Sequence, residues 1–174
     1  MVFYVYGGNC MAKVGIVMGS ISDLSVVEPA IDILKKFGVE VEVRVISAHR
    51  TPIEAHDFAS NAIKNGIEVI ISAAGKAAHL GGVMAAFTTL PVIGLPIKSS
   101  TMDGLDSLLS TVQMPNGVPV ATVAINGGQN AGLLAIQMLA LKYNDLQEKL
   151  AKYKEDMAES VREADRKLNM ELNK

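Results

Sequence analysis

Two short stretches carry the residue types that proton transfer and anion binding require. Ser47-Ala48-His49-Arg50 sets an imidazole beside a guanidinium. Histidine takes up and releases a proton near neutral pH, and the guanidinium fork matches a carboxylate or phosphate. Gly19-Ser20-Ile21-Ser22-Asp23 combines a glycine turn, two hydroxyls and a carboxylate. Free backbone N–H groups and Oγ donors at a helix start suit an anion, whereas the Asp23 carboxylate suits ribose hydroxyls. A third stretch, Ala73-Ala74-Gly75-Lys76-Ala77-Ala78-His79-Leu80-Gly81-Gly82, is built from small residues that let backbone amides approach a ligand closely. The fourth, Lys98–Ser110 with Gln113-Met114-Pro115, offers hydroxyls and amides, but on its own it is equally a turn and a short helix.

Each stretch also has a plainer reading. Ser22 can simply N-cap a helix. Arg50 is too polar for a core and could form a surface ion pair. His49 precedes a helix start rather than lying on an apolar face, so no core position accounts for it. His79, taken alone, reads better as a hydrogen-bonded structural histidine, and its small neighbours would serve tight helix–sheet packing equally well. His56, mid-helix beside Asp57, belongs in solvent.

Elements must bring these stretches together. Lys13–Met18 is a short apolar run ending at Gly19, as in a buried strand. Leu24, Val27, Ile31 and Leu34 recur at helical spacing within Asp23–Phe37, with Ser22 as N-cap and Gly38 as stop. Val39–Ile46 alternates valine with charge, the period of a strand. Thr51-Pro52-Ile53-Glu54 reads as a capping box opening a helix to about Asn65, stopped by Gly66. Glu68–Ala73, Val92–Leu95 and Ala121–Ala124 are further strands; Ala78–Thr88, Leu105–Ser110 and Gln129–Lys142 are helices. Strands alternating with helices predict an α/β fold, doubly wound around a parallel sheet of about five strands, with ligands bound beyond the strands' carboxyl ends.

Composition removes several function classes. The chain has 174 residues, 49% hydrophobic, with a net charge of −2. That is too apolar for disorder. No apolar run is long enough for a membrane span. Near-neutral charge and sparse aromatics speak against nucleic-acid binding. Cys10 is the single cysteine, so no internal disulfide framework or cysteine-ligated metal site exists. No GxxxxGK[ST] or GxGxxG motif occurs, and no aromatic sandwich for a flavin. A cytoplasmic protein is the expectation. Residues 142–174 hold 16 of the 34 charged side chains, eight of each sign, and read as a solvated helix with Leu146, Leu150, Met157 and Val161 as a thin stripe. A body so poor in charge must hide apolar surface, which predicts oligomerisation. The expected organisation is a leader at 1–10, disordered or foreign to the domain, a catalytic domain at 11–142 and a helical extension at 143–174.

Taken together, GSISD, SAHRTP, AAGKAAHL, LPVIGLP, DGLDSLLSTVQMP and VPVATVAI resemble the class I N5-carboxyaminoimidazole ribonucleotide mutases over about Ala12 to Leu141. The resemblance implies a flavodoxin-like three-layer sandwich and an enzyme of purine biosynthesis. Such an enzyme moves a carboxylate from the exocyclic nitrogen to the ring carbon, giving 4-carboxy-5-aminoimidazole ribonucleotide, without ATP, metal or organic cofactor. It also implies a homo-octamer with sites shared between subunits. Residue by residue, it assigns Ser20, Ser22, Asp23 and Arg50 to the ribose phosphate. Ser47, Ala48, Ala74, Gly75, Lys76, Ala78, His79 and Leu80 fall to the base and carboxylate walls, and His49 to the acid/base role. His79 thereby moves from structural toward pocket-lining. The chain departs from the family pattern AGGAAHLPGM at Lys76 and Gly81, and its NGGQNAG segment is short. The rivals are a class II carboxylase using carbon dioxide directly, a related nucleotide carboxylase, and a non-catalytic nucleotide-binding module. SAHRTP and AAHL favour class I over class II, and a module that only binds has no need of His49.

Overall fold

Parallel strands require long crossovers, and in this chain helices supply them. The computed structural model describes residues 11–100 and 102–173. The leader expected at 1–10, with Cys10, lies outside the described residues. The elements run β1 (Lys13–Met18), α1 (Leu24–Phe37), β2 (Glu40–Val45), α2 (Pro52–Asn61), β3 (Val69–Gly75), α3 (Leu80–Phe87), β4 (Val92–Ile97), α4 (Leu105–Val112), β5 (Ala121–Thr122), α5 (Gly128–Ala140) and α6 (Asn144–Leu172). All pairings are parallel, in the order β2-β1-β3-β4-β5. Strand order reverses between β1 and β3, so the loops leaving those two strands diverge and open a crevice at the carboxyl edge.

Alternate residues of the inner strands feed two cores. Val14, Ile16, Ile71, Ile93 and Leu95 pack with Val27, Leu34, Ala135 and Ile136 of α1 and α5. On the opposite face Val17, Ile70 and Val92 meet Phe58, Ala59, Leu80 and Met84 of α2 and α3. Burying each larger aliphatic side chain contributes about 1.5–3 kcal/mol against chain entropy. The flavodoxin-like doubly wound sandwich and the C-terminal helix are therefore as expected.

Three local expectations change. The hydroxyl that caps the first helical turn belongs to Ser20, whose Oγ accepts from the Ser22 N–H; Ser22 lies inside that turn. The capping box at Thr51 does not form, because Thr51 Oγ1 is already used: it donates to Ser47 O at 3.1 Å and accepts from Ser47 N at 2.9 Å. Helix α2 ends at Asn61; turns carry the chain to Gly66, whose φ of 78° completes the stop. In α6, Lys152 pairs with Asp156 one turn further on.

Helix α6 docks through its first half. Glu68 accepts from Lys142 Nζ and Tyr143 Oη, each at 2.6 Å, and Lys149 Nζ donates to Phe37 O at the C-terminus of α1. Leu146 is buried and Leu150 and Tyr153 pack against the α1/α5 core, but Met157 and Val161 are exposed.

Candidate active site

The carboxyl ends of β1, β2, β3 and β4 deliver four loops to one cavity of about 740 Å³. At the end of β1, Ser20 is extended and its Oγ accepts from Ser22 Oγ at 2.9 Å; Ser22 Oγ also lies 3.3 Å from Asp23 Oδ1. Burial pushes the Asp23 carboxyl above its ordinary value of 3.8, against the downward pull of hydrogen bonds from Ser22 and the Ser20 backbone. The result is a part-desolvated acceptor at the cavity wall, as hydroxyl binding asks.

At the end of β2, the Ser47–Thr51 bonds close the loop on itself, and Ser47 Oγ accepts from both the N–H and Nε of Arg50 at 3.3 Å. Arg50 Nη2 donates to Gly19 O at 2.9 Å. The guanidinium thus ties the β2 loop to the β1 loop, and a fork of five donors keeps several free for a ligand. The plainer reading of Arg50 as half of an ion pair is not met among the described residues.

His49 crosses from the β2 loop to meet the β3 loop. Its Nε2 lies 2.9 Å from His79 Nδ1, with the rings at 85° and their centroids 5.1 Å apart. Such a contact holds one proton between two nitrogens, since a hydrogen bond needs one of them bare. His79 is exposed and lines the cavity, so its reading as a structural histidine gives way to a pocket position.

The β3 loop approaches β4 closely: a β-carbon on Gly75 would lie 3.3 Å from Ile97 O. The next residue, Lys76, has φ of 56°, a left-handed conformation that costs a residue with a β-carbon roughly 1–2 kcal/mol. Ala48, Ala74 and Leu80 also line the cavity. Ala78 does not; it is buried, with 1% exposure.

Gly19, Ala77, Ile97, Lys98, Ser99 and Ser100 complete the wall; all but Ile97 belong to the four stretches singled out in the sequence, though none was given a role of its own. The last three follow β4, which continues two residues past the expected Leu95 and so carries Lys98 to the rim. The signal was present, since a polar run after a buried strand belongs at the same edge as the other three. Lys98 pairs with Asp103 at 2.7 Å, and its N–H donates to Asn126 Oδ1.

Comparison with known proteins places relatives beside this chain. The chain is 60% identical over 147 residues to the N5-carboxyaminoimidazole ribonucleotide mutase of Pyrococcus abyssi, covering 84% of both chains. It is 54% identical over 158 residues to the N5-carboxyaminoimidazole ribonucleotide mutase of Thermotoga maritima, covering 91% of this chain and 92% of that one. The crystal structure of Treponema denticola PurE superposes with a TM-score of 0.83 at 30% identity, over 90% of this chain and 98% of that one. The family model described as AIR carboxylase matches residues 13–160. On that span, and on the relatives that share it, the chain belongs to the AIR carboxylase family.

Proposed function

We propose that this chain is an isomerase of purine biosynthesis, a mutase that converts N5-carboxyaminoimidazole ribonucleotide to 4-carboxy-5-aminoimidazole ribonucleotide. The observation that carries the reading is the His49–His79 contact, set between an anion grip on one side and a loop of small residues on the other. Ser20, Ser22, Asp23 and Arg50 hold the ribose phosphate. Ser47, Ala48, Ala74, Gly75, Lys76, His79 and Leu80 form the base and carboxylate side, and the buried Ala78 belongs to the same loop without facing the cavity.

The chemistry balances without an added reagent. The carbamate C–N bond breaks, carbon dioxide leaves, and the exocyclic nitrogen takes a proton from His49. The ring carbon then attacks carbon dioxide, forming the new C–C bond, and its proton returns to His49. Confinement makes the recapture effectively unimolecular. Histidine is suited to give and take that proton at neutral pH, and such help is typically worth about 10²–10⁴-fold. The His79 contact fixes the ring plane of His49. ATP, metal and organic cofactors have no step to perform.

We propose further that the chain acts in the cytoplasm as a homo-octamer whose sites are completed by neighbours. Support comes from the exposed apolar residues Leu105, Leu109 and Val112, which recur at helical spacing along α4. Among the described residues no helix is long and apolar enough to cross a membrane. The test of the activity is direct: the purified protein, given the N5-carboxylated nucleotide without ATP or bicarbonate, is expected to yield the ring-carboxylated product. Product formed only from 5-aminoimidazole ribonucleotide with bicarbonate would instead mark the class II reaction.

A further inference from the structure

Among the described residues lining the cavity, Lys76 alone combines a β-carbon with a positive φ. Glycine would adopt that conformation without strain, so the lysine is carried against a local conformational preference. Strain of this kind collects at ligand clamps. The Lys76 ammonium has no competing engagement: among the described residues it makes no ion pair and no side-chain hydrogen bond. Of the other cations around the cavity, Lys98 is paired with Asp103, and Arg50 turns its remaining donors toward the β1 and β2 loops, where it bonds Gly19 O and Ser47.

Its position in the fold narrows what it could hold. The hydroxyls of Ser20 and Ser22 and the guanidinium of Arg50 gather on the β1 and β2 loops. Lys76 lies on the β3 loop, three residues before the imidazole that touches His49. A carboxylated ribonucleotide has two anionic ends. With the phosphate on the β1 and β2 loops, the carboxyl group falls beside the histidine pair and the β3 loop. We propose that Lys76 binds the migrating carboxyl group, as carbamate in the substrate and as ring carboxylate in the product. The inference rests on the mutase reading above. It gives Lys76 a defined chemical preference, because with the phosphate held on the β1 and β2 loops the ammonium gains a close anionic partner only when the nucleotide carries a carboxyl group.

Calorimetric titration of the full chain tests this with two probes, 4-carboxy-5-aminoimidazole ribonucleotide and 5-aminoimidazole ribonucleotide. Lys76→Gly is expected to weaken the carboxylated nucleotide by about tenfold, the scale of one charge-assisted hydrogen bond, and the bare nucleotide by less than about twofold. Lys76→Arg is expected to restore most of the lost affinity. The melting temperature of unliganded Lys76→Gly should equal or exceed that of the wild type, which separates lost contact from lost fold. Equal weakening of both nucleotides would move Lys76 to the phosphate, and no weakening of either would leave it in solvent; each result overturns the proposal. A wild type that binds the carboxylated nucleotide but does not convert its N5 isomer would overturn the mutase reading and leave the Lys76 contact standing. A wild type that binds neither nucleotide would overturn both.

Discussion

His49 meets the cavity, the β3 loop and His79 at once, so a change there should separate binding from chemistry. His49→Asn keeps a polar side chain of similar reach but cannot carry a proton. Turnover is expected to fall by about 10²–10⁴-fold or more while nucleotide affinity stays near that of the wild type. Measured kcat within tenfold of the wild type would remove the acid/base role from this residue. Asp23 makes the opposite bargain. Its carboxyl is raised by burial, so the folded state binds its proton more tightly than the unfolded chain does. Stability is therefore lost as pH rises through the window above 3.8, and the ionised group is a net burden at neutral pH. Asp23→Asn should raise the melting temperature of the free protein at pH 7, with a smaller gain near pH 4, while weakening nucleotide binding. A variant that melts lower at pH 7 would show that the hydrogen bonds from Ser22 outweigh the burial.

At the scale of elements, the attachment of α6 can be tested through one carboxylate. Glu68, just before β3, takes hydrogen bonds from both Lys142 and Tyr143. Its hydrogen bond raises the Lys142 pKa, so this stabilisation is fully present at neutral pH and is lost as pH rises into strong alkali. Glu68→Gln should lower stability by about 1 kcal/mol, less than a buried charged pair because the Lys142 side chain is 65% exposed. The urea midpoint should report it, and hydrogen exchange should quicken first in α6. Elements of this kind were largely legible in the sequence: the apolar runs of β1 and β3 and the glycine stop of α1 carry their own signals. Boundaries failed where one side chain had two possible partners. Thr51 has the composition of a capping box, yet its hydroxyl closes the Ser47 loop, and nothing in a linear pattern ranks those two bonds. His79 shows the same limit at the site. Its partner, His49, is 30 residues away and meets it only through the pairing of β1 with β3 and β2.

The whole molecule leaves apolar side chains in water that a lone domain would cover. On α4, Leu109 and Val112 are 44% and 48% exposed, next to Leu105 on the same stripe. Helix α6 meanwhile concentrates charge that pairs along its own length, as Arg162 does with Glu155 and Glu159. Surface that is apolar on one element and charged on another fits a closed assembly, with α4 turned inward. Light scattering should give a particle of about 150 kDa, eight times the 18.5 kDa chain, and Leu109→Glu should reduce it to smaller species. An unchanged mass for Leu109→Glu would take α4 out of the interface. The exposure of His49 and His79 in the single chain then acquires a kinetic meaning. A gas released beside two solvent-facing rings has an escape route, and a neighbouring subunit is what would shut it. Isotope leakage measures the seal: label in the migrating carboxyl group should pass almost entirely into product in the wild type, and should wash out into dissolved carbon dioxide when Leu109→Glu opens the assembly.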